Sequence, residues 1–489
     1  MSNFMIQFPL KVEKYQADIL NKRFEIGRKI YNSLVGISLK RYKEMIKTKK
    51  YRNLISNIQR DQKGKSLENK HNEAVFEEVT ALRQEYKLSK LHFEKDVKAL
   101  QKKFKKNIDS VTAQKLVNRL WKAYEKLFFG DGKKIHFKRY DSLNSLECKS
   151  NRAGIRFRNT NIEWLGLTLG VVIDFNNMYE VEALTHEICY CKIIRKFVRN
   201  KYKFYVQIVF KGNAPLKRDK KTGAFKRQLG KGDVGIDIGT STIAYCSENE
   251  LKILELADKV KDLNAKKRRI LRKMDRSKRM TNPQNFNSDG TIKKGSRFNF
   301  SNRYKKLRNE LKEIFRKEAD VRKYQHECLA NEIIKLGDKI YVEDMDFKAL
   351  QKRSKKTEKN EKGKYKRKKR FGKSLGNRAP AMLISIIDRK LKSLGSGIIK
   401  INTRKAKASQ FNHETEEYKK KALSKRWDNI GGNKVQRDMY SAFLIMNINE
   451  DLETFNLEKC NQRFNKFLKL HEMEVKRLLG NKNLSSIGI

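Results

Sequence analysis

Residues 231–245, KGDVGIDIGTSTIAY, place the tightest constraint on the fold. Val234, Ile236 and Ile238 alternate with Gly235, Asp237 and Gly239, which predicts a strand with one apolar face. A turn of small residues and a second apolar run follow. A carboxylate on a strand bound for the core is costly unless it is paired or binds a cation. Two more acids have comparable settings. Glu343 follows KIYV at the end of a second expected strand, and Asp438 opens an amphipathic helix whose Ala442, Phe443, Ile445 and Met446 would pack inward. Three such carboxylates, once gathered, repel one another unless divalent cations lie between them. Two cations roughly 4 Å apart are what in-line phosphodiester hydrolysis uses. On this reading the glycines beside Asp237 leave room for metal and scissile phosphate. Taken singly, such an acid is more often a cap or an ion-pair partner, and Asp233, Asp344 and Asp346 are read that way.

Charge names the partner. The chain of 489 residues carries 114 Lys and Arg against 56 Asp and Glu, a formal +58, far more than solubility needs. A chain so basic repels itself unless a polyanion neutralises it, and nucleic acid is the expected one. Hydrophobic residues make up 38%, enough for real cores, and the length predicts two to four structural units. No run of 18 apolar residues and no signal-peptide pattern occurs, so neither a membrane span nor secretion is expected. The six cysteines, Cys148, Cys189, Cys191, Cys246, Cys328 and Cys460, form no disulfide-like framework and suit a reducing cytosol.

The pattern changes along the chain. FMIQFPLKV, within residues 1–15, alternates like a strand. Residues 16–130 are helical, with Ile19, Leu20, Phe24, Ile30 and Tyr31 near helical spacing and basic residues on the other faces. Residues 131–215 turn to β, through KIHFKRY, GIRFRN, WLGLTLGVVIDF, EICYCKIIRKF and YKFYVQIVF, which predict a small barrel completed by the first strand. A basic linker spans 216–231. Residues 232–407 form a β–α–β region with helical and basic-loop insertions, 408–434 a further insertion, and 435–489 the closing helix and a helical tail. In the first insertion Val260, Leu263, Ile270, Leu271 and Met274 mark one helix stripe, and the other face is basic. The fold class expected is multidomain α+β.

GIDIGTSTIAY, IYVEDMDF and VQRDMYSAFLIMNI, in that order, resemble the three motifs of the split RuvC nuclease domain. The match is to the TnpB family of transposon-encoded RNA-guided nucleases, related to compact type V CRISPR effectors. The resemblance covers nearly the whole chain, although only the three motifs are specific. It implies an N-terminal wedge barrel with a helical recognition insertion, followed by an RNase H-like domain. It implies Asp237, Glu343 and Asp438 as a catalytic triad holding two Mg²⁺ ions, with Arg437 helping to hold phosphate. A guide RNA and double-stranded target DNA would be the partners, with one chain, or a dimer, per RNA in a prokaryotic, nucleoid-associated cytosol. Base pairing would read the target, while the protein would recognise heteroduplex backbone and a short flanking motif. The expected nucleic-acid contacts are Lys266, Lys267, Arg268 and Arg269, the tract with Lys366, Arg367, Lys368, Lys369 and Arg370, and Arg426.

One departure from the family pattern stands out. Relatives usually carry a CxxC…CxxC zinc ribbon between the second and third motifs. Here residues 408–434 have no cysteine and only His413 as a nitrogen donor, so no zinc is expected. Tyr418, Leu423 and Trp427 are read instead as one face of a short helix, with Lys419, Lys420, Lys421, Lys425 and Arg426 turned toward nucleic acid. Cys189 and Cys191 are read as strand packing. Two other functions stay open: an RNA-guided DNA-binding regulator without cleavage, and a transposase or recombinase using the same acidic triad.

Overall fold

The structure, a computed structural model, describes all residues except 1, 63–65, 131, 220–221, 355–356, 362, 364, 366–370, 423–424 and 481–489. The chain forms two compact units, Met1–Pro215 and Leu216–Ile489. No helix among the described residues is long and apolar enough to cross a membrane.

The first unit begins with β1 (Asn3–Pro9) and the helices α1 (Lys14–Lys47), α2 (Lys49–Ser56), α3 (Lys70–Glu85), α4 (Lys90–Lys102) and α5 (Ser110–Phe129). There follow β2 (Ser145–Glu147), β3 (Arg156–Arg158), β4 (Asn161–Trp164), β5 (Leu167–Gly170), α6 (Met178–Leu184), β6 (Ile188–Val198) and β7 (Lys201–Lys211). The strands make an open four-stranded sheet, β1-β7-β6-β2, and an open three-stranded sheet, β3-β4-β5, in place of the expected barrel. The chain after β1 links the two through a bridge between Leu10 and Val171. Closure is unnecessary because helices cover the apolar face: Phe24 of α1 lies 6.5 Å from Phe204 of β7, and both belong to one core shared by helices and sheets. KIHFKRY is not a strand either. Lys138 spends its backbone N–H and C=O on the Asn32 side chain of α1, at 2.8 and 2.9 Å, so no neighbouring strand is needed. Buried Arg23 donates to the carbonyls of Trp164 and Leu165 at 2.8 and 2.7 Å and lies over the Trp164 ring. That arginine is a structural tie rather than a cationic surface.

The second unit contains β8 (Asp233–Ile238), β9 (Thr242–Ser247), β10 (Leu251–Glu255), α7 (Lys261–Thr281), α8 (Asn302–Ile334), β11 (Lys339–Glu343) and α9 (Phe347–Leu350). It continues with α10 (Gly372–Arg378), α11 (Pro380–Lys392), β12 (Ile398–Ile401), α12 (Thr403–Ala406), β13 (Phe411–Asn412), β14 (Glu417–Tyr418), β15 (Trp427–Ile430), β16 (Asn433–Gln436), α13 (Arg437–Met446) and α14 (Leu457–Leu479). Its main sheet has the order β10-β9-β8-β11-β12. β8 pairs antiparallel with β9 and parallel with β11, and β12 continues the parallel side. One face is covered by α13 and α14 around Phe443 and Phe467, and the other by α8 and α11 around Ile333 and Leu383. α7 and α8 carry a small core of their own, Ile270, Met274, Leu307 and Ile314. Leu271, expected on that stripe, is instead exposed.

Gly235 decides how α13 meets the sheet. A Cβ there would lie 2.1 Å from the Ala442 carbonyl oxygen and 2.3 Å from the Met446 nitrogen. Its lack of a side chain therefore makes room for helix backbone, which corrects the expectation that it leaves room for metal and phosphate. Gly235→Ala should destabilise the unit by about 1–3 kcal/mol, because an added methyl must push a packed helix away. Urea unfolding of the full chain checks this, and an unchanged midpoint would refute the packing role.

Candidate active site

Three sequence-distant elements place the acids. Val342 is the parallel partner of Ile236, so the next residues, Glu343 and Asp237, end side by side on one face of the sheet. Asp438 sits in the first turn of α13, which crosses that face. The N-terminus of α13 is fixed twice: the Gln436 side chain accepts from the Met439 N–H at 2.9 Å, and the Gln436 N–H donates to Nε2 of buried His471 at 2.9 Å. Burial pushes His471 down to about 4, which keeps it neutral and able to accept.

The electrostatics are those of crowded carboxylates. Burial first, then repulsion from Glu343 and Asp438, holds Asp237 well above the ordinary carboxylate range, and Arg437 and Arg426 offset part of this. Burial pushes Glu343 up to about 7. Asp438 is compensated differently. Its Oδ2 accepts from Arg426 Nη1 at 3.2 Å, and its Oδ1 accepts from Arg437 Nη2 and Nε at 3.1 and 3.3 Å. The remaining Arg437 donor, Nη1, reaches the carbonyls of Ala422 and Lys425 at 3.4 and 3.2 Å. Arg437 therefore straps the insertion to Asp438, with its donors spent internally. The side chain of Arg426 is 34% exposed against 11% for Arg437, so Arg426 is the more accessible of the two.

A cluster of carboxylates is the donor set that hard divalent cations take. Among the described residues, however, no group of three or more His, Cys, Asp or Glu side chains converges closely enough to hold a metal ion. Asp438 turns both of its oxygens to guanidinia. Asp237 and Glu343 fit a cation in kind, and Asp438 joins them only by leaving its arginines. The acids read as structural do structural work: Asp346 caps α9, Asp344 pairs with Lys400 at 2.8 Å, and Asp233 lies 3.9 Å from Arg463.

The insertion at 408–434 is built from two hairpins, β13–β14 and β15–β16, rather than the expected helix. The signal was present in Gly431-Gly432, both at positive φ between β15 and β16, a two-residue hairpin turn. Tyr418 packs on Phe411 at 4.8 Å, Trp427 stands edge-on to His471 at 6.0 Å, and Leu423 lies outside the described residues. His413 is buried, its Nδ1 2.6 Å from the Tyr440 hydroxyl. Lys421 does not face outward but forms a partly buried ion pair with Asp428, which Lys425 approaches at 3.5 Å.

Of the expected nucleic-acid contacts, Lys266, Arg268 and Arg269 are exposed on α7. Lys267 is not available: it is held 2.9 Å from both oxygens of buried Glu318 of α8. Lys366, Arg367, Lys368, Lys369 and Arg370 lie outside the described residues. Cys191 is buried, consistent with packing, and the next pairing position on β2's side places Cys148 opposite it, with Cys148 N donating to Cys191 O at 3.1 Å.

No family model and no curated protein matches this chain. Among solved structures, a cryo-EM CRISPR-Cas12f ternary complex is similar at 14% identity and TM-score 0.27, over 90% of this chain and 86% of that one. A cryo-EM Cas12i–crRNA–dsDNA complex is similar at 10% identity and TM-score 0.24, over 94% of this chain and 65% of that one. At those values neither likeness fixes the fold or the function.

Proposed function

We propose that this chain is an RNA-guided DNA endonuclease of the TnpB kind, with Asp237, Glu343 and Asp438 as its catalytic carboxylates. One observation carries the reading: residues 237 and 343, far apart in sequence, end side by side on one face of a single sheet, and the helix that Asp438 opens crosses that face. Counted from β8, the strand order is 3-2-1-4-5 with the first pair antiparallel, which agrees with an RNase H-like domain. The net charge of +58 supports a nucleic-acid partner. Asp237 and Glu343 would hold Mg²⁺, joined by Asp438. Bound there, two such ions supply the activated water and the stabilised leaving oxygen of phosphodiester hydrolysis. Arg426, once released from Asp438, can turn to the scissile phosphate, while Arg437 keeps the insertion seated. Lys266, Arg268 and Arg269 are assigned to backbone phosphates.

The engagement of Asp438 by two arginines favours one second reading, a DNA-binding regulator without cleavage. A single preparation separates the two. RNA extracted from the purified protein should be a discrete transcript, and DNA complementary to its variable end should be cut in Mg²⁺. Intact DNA held tightly by that complex would support the regulator, and sequence-specific duplex binding by RNA-free protein would support a transposase.

A further inference from the structure

The first unit holds a cavity of about 390 Å³ bordered by α4, α5, β2 and β6. Five cations line it, Lys90, Lys115, Arg119, Lys122 and Lys192, against two acids, Glu125 and Glu147. Of these, Lys192 approaches Glu147 at 3.8 Å, and Arg119 donates to the carbonyl and hydroxyl of Ser145 at 3.2 Å each. Lys90, Lys115 and Lys122 form no ion pair among the described residues, and the Lys115 ammonium rests 4.8 Å from the Tyr190 ring centre. An apolar wall completes the cavity. Trp121 lines it, held edge-on by Phe93 at 6.2 Å and Phe128 at 6.5 Å. Beside it the amide oxygen of Asn118 is buried without a hydrogen-bond partner, so turning that amide costs no protein hydrogen bond.

Three lysines without ion pairs lining one small space suit an anion with more than a single charge. A phosphate monoester carries about −1.5 to −2 at neutral pH, whereas a backbone diester carries one charge. The volume falls in the range of small-molecule sites, about 300–1,000 Å³. An indole and an amide beside the cations add a stacking surface and a hydrogen-bonding group, which suit a nucleobase. We propose that this cavity binds a 5′-phosphorylated nucleotide at the end of an RNA strand, with Lys115 and Lys122 on the phosphate and Trp121 and Asn118 on the base. The proposal concerns residues of the first unit and stands apart from the nuclease reading.

The test compares two short single-stranded RNAs of one sequence, with a 5′-monophosphate or a 5′-hydroxyl, on full-length protein freed of nucleic acid. Elevated salt is used, so that sequence-independent backbone binding falls away. The phosphorylated RNA should bind about tenfold tighter, as expected for one or two charge-assisted hydrogen bonds. A chain carrying both Lys115→Gln and Lys122→Gln should lose that preference while its affinity for the hydroxyl RNA and its melting temperature stay unchanged. Competition by AMP at the concentration at which the phosphorylated RNA competes would identify a free nucleotide as the occupant, with the same phosphate chemistry. Equal affinity for the two RNAs in the natural chain, or a preference that survives both substitutions, overturns the proposal.

Discussion

Asp237→Ala should abolish Mg²⁺-dependent DNA cleavage while leaving the ribonucleoprotein and its binding to target DNA nearly intact. Asp237 is the acid under the strongest pressure in the site, half-buried, desolvated and repelled by both Glu343 and Asp438. On the proposed reading, that carboxylate is placed for a cation. Loss of metal-assisted charge stabilisation removes several kcal/mol from the transition state, a rate decrease on the order of 10³-fold or more. On the proposed reading the phosphate contacts come from lysines and arginines elsewhere, so gel-shift affinity should change little. The measurement is a cleavage time course beside a binding titration, both on ribonucleoprotein purified from cells. Cutting at the natural rate would remove Asp237 from the triad, and loss of DNA binding would mean that its role is architectural.

The second large effect concerns stability. Burial raises Glu343 to about 7 from an ordinary value of 4.5. A carboxyl raised on folding binds its proton more tightly in the native state, so its ionisation opposes folding. The penalty is absent below the unfolded value, grows from pH 4.5 to 7, and is complete above 7. Glu343→Gln, which cannot ionise, should therefore stabilise the metal-free protein at pH 8 by up to about 3 kcal/mol, with the gain fading toward pH 4.5. Saturating Mg²⁺ should narrow the difference at pH 8, because a cation stabilises only the ionised natural side chain. Thermal melts of both chains across pH, with and without Mg²⁺, give the four numbers needed. A pH-independent difference would show that the substitution acts through packing, and a destabilised variant at pH 8 would show that Glu343 is already satisfied by protein groups.

The strands that carry Asp237 and Glu343 were legible because their surroundings are periodic. Val234, Ile236 and Ile238 define a face by alternation alone, and KIYV does the same before Glu343. The other segments failed where a side chain took over a backbone's partners. KIHFKRY alternates like a strand, but Asn32 satisfies Lys138, and the segment has no sheet to join. The expected barrel stayed open for a related reason: helix α1 supplied the apolar cover that a closing strand would have supplied. In the insertion, the spacing of Tyr418 and Trp427 was compatible with a helix, while Gly431-Gly432 required a hairpin.

The sequence by itself determined the strands that carry Asp237 and Glu343, the helix that Asp438 opens, and the excess of positive charge. It also leaves residues 408–434 without a cysteine. Only the tertiary structure decided which charges are free. Lys267 and Arg268 are neighbours on one helix, yet Lys267 is tied to Glu318 and Arg268 faces outward. Arg437 and Arg426 both meet Asp438, yet Arg426 keeps the more exposed side chain. Gly235 beside Asp237 serves a helix backbone that arrives some two hundred residues later in the chain. Periodicity reports the face on which a residue lies, because that depends on its near neighbours. The partner waiting on that face comes from a distant segment, and the charge and space left there exist only once the chain has folded.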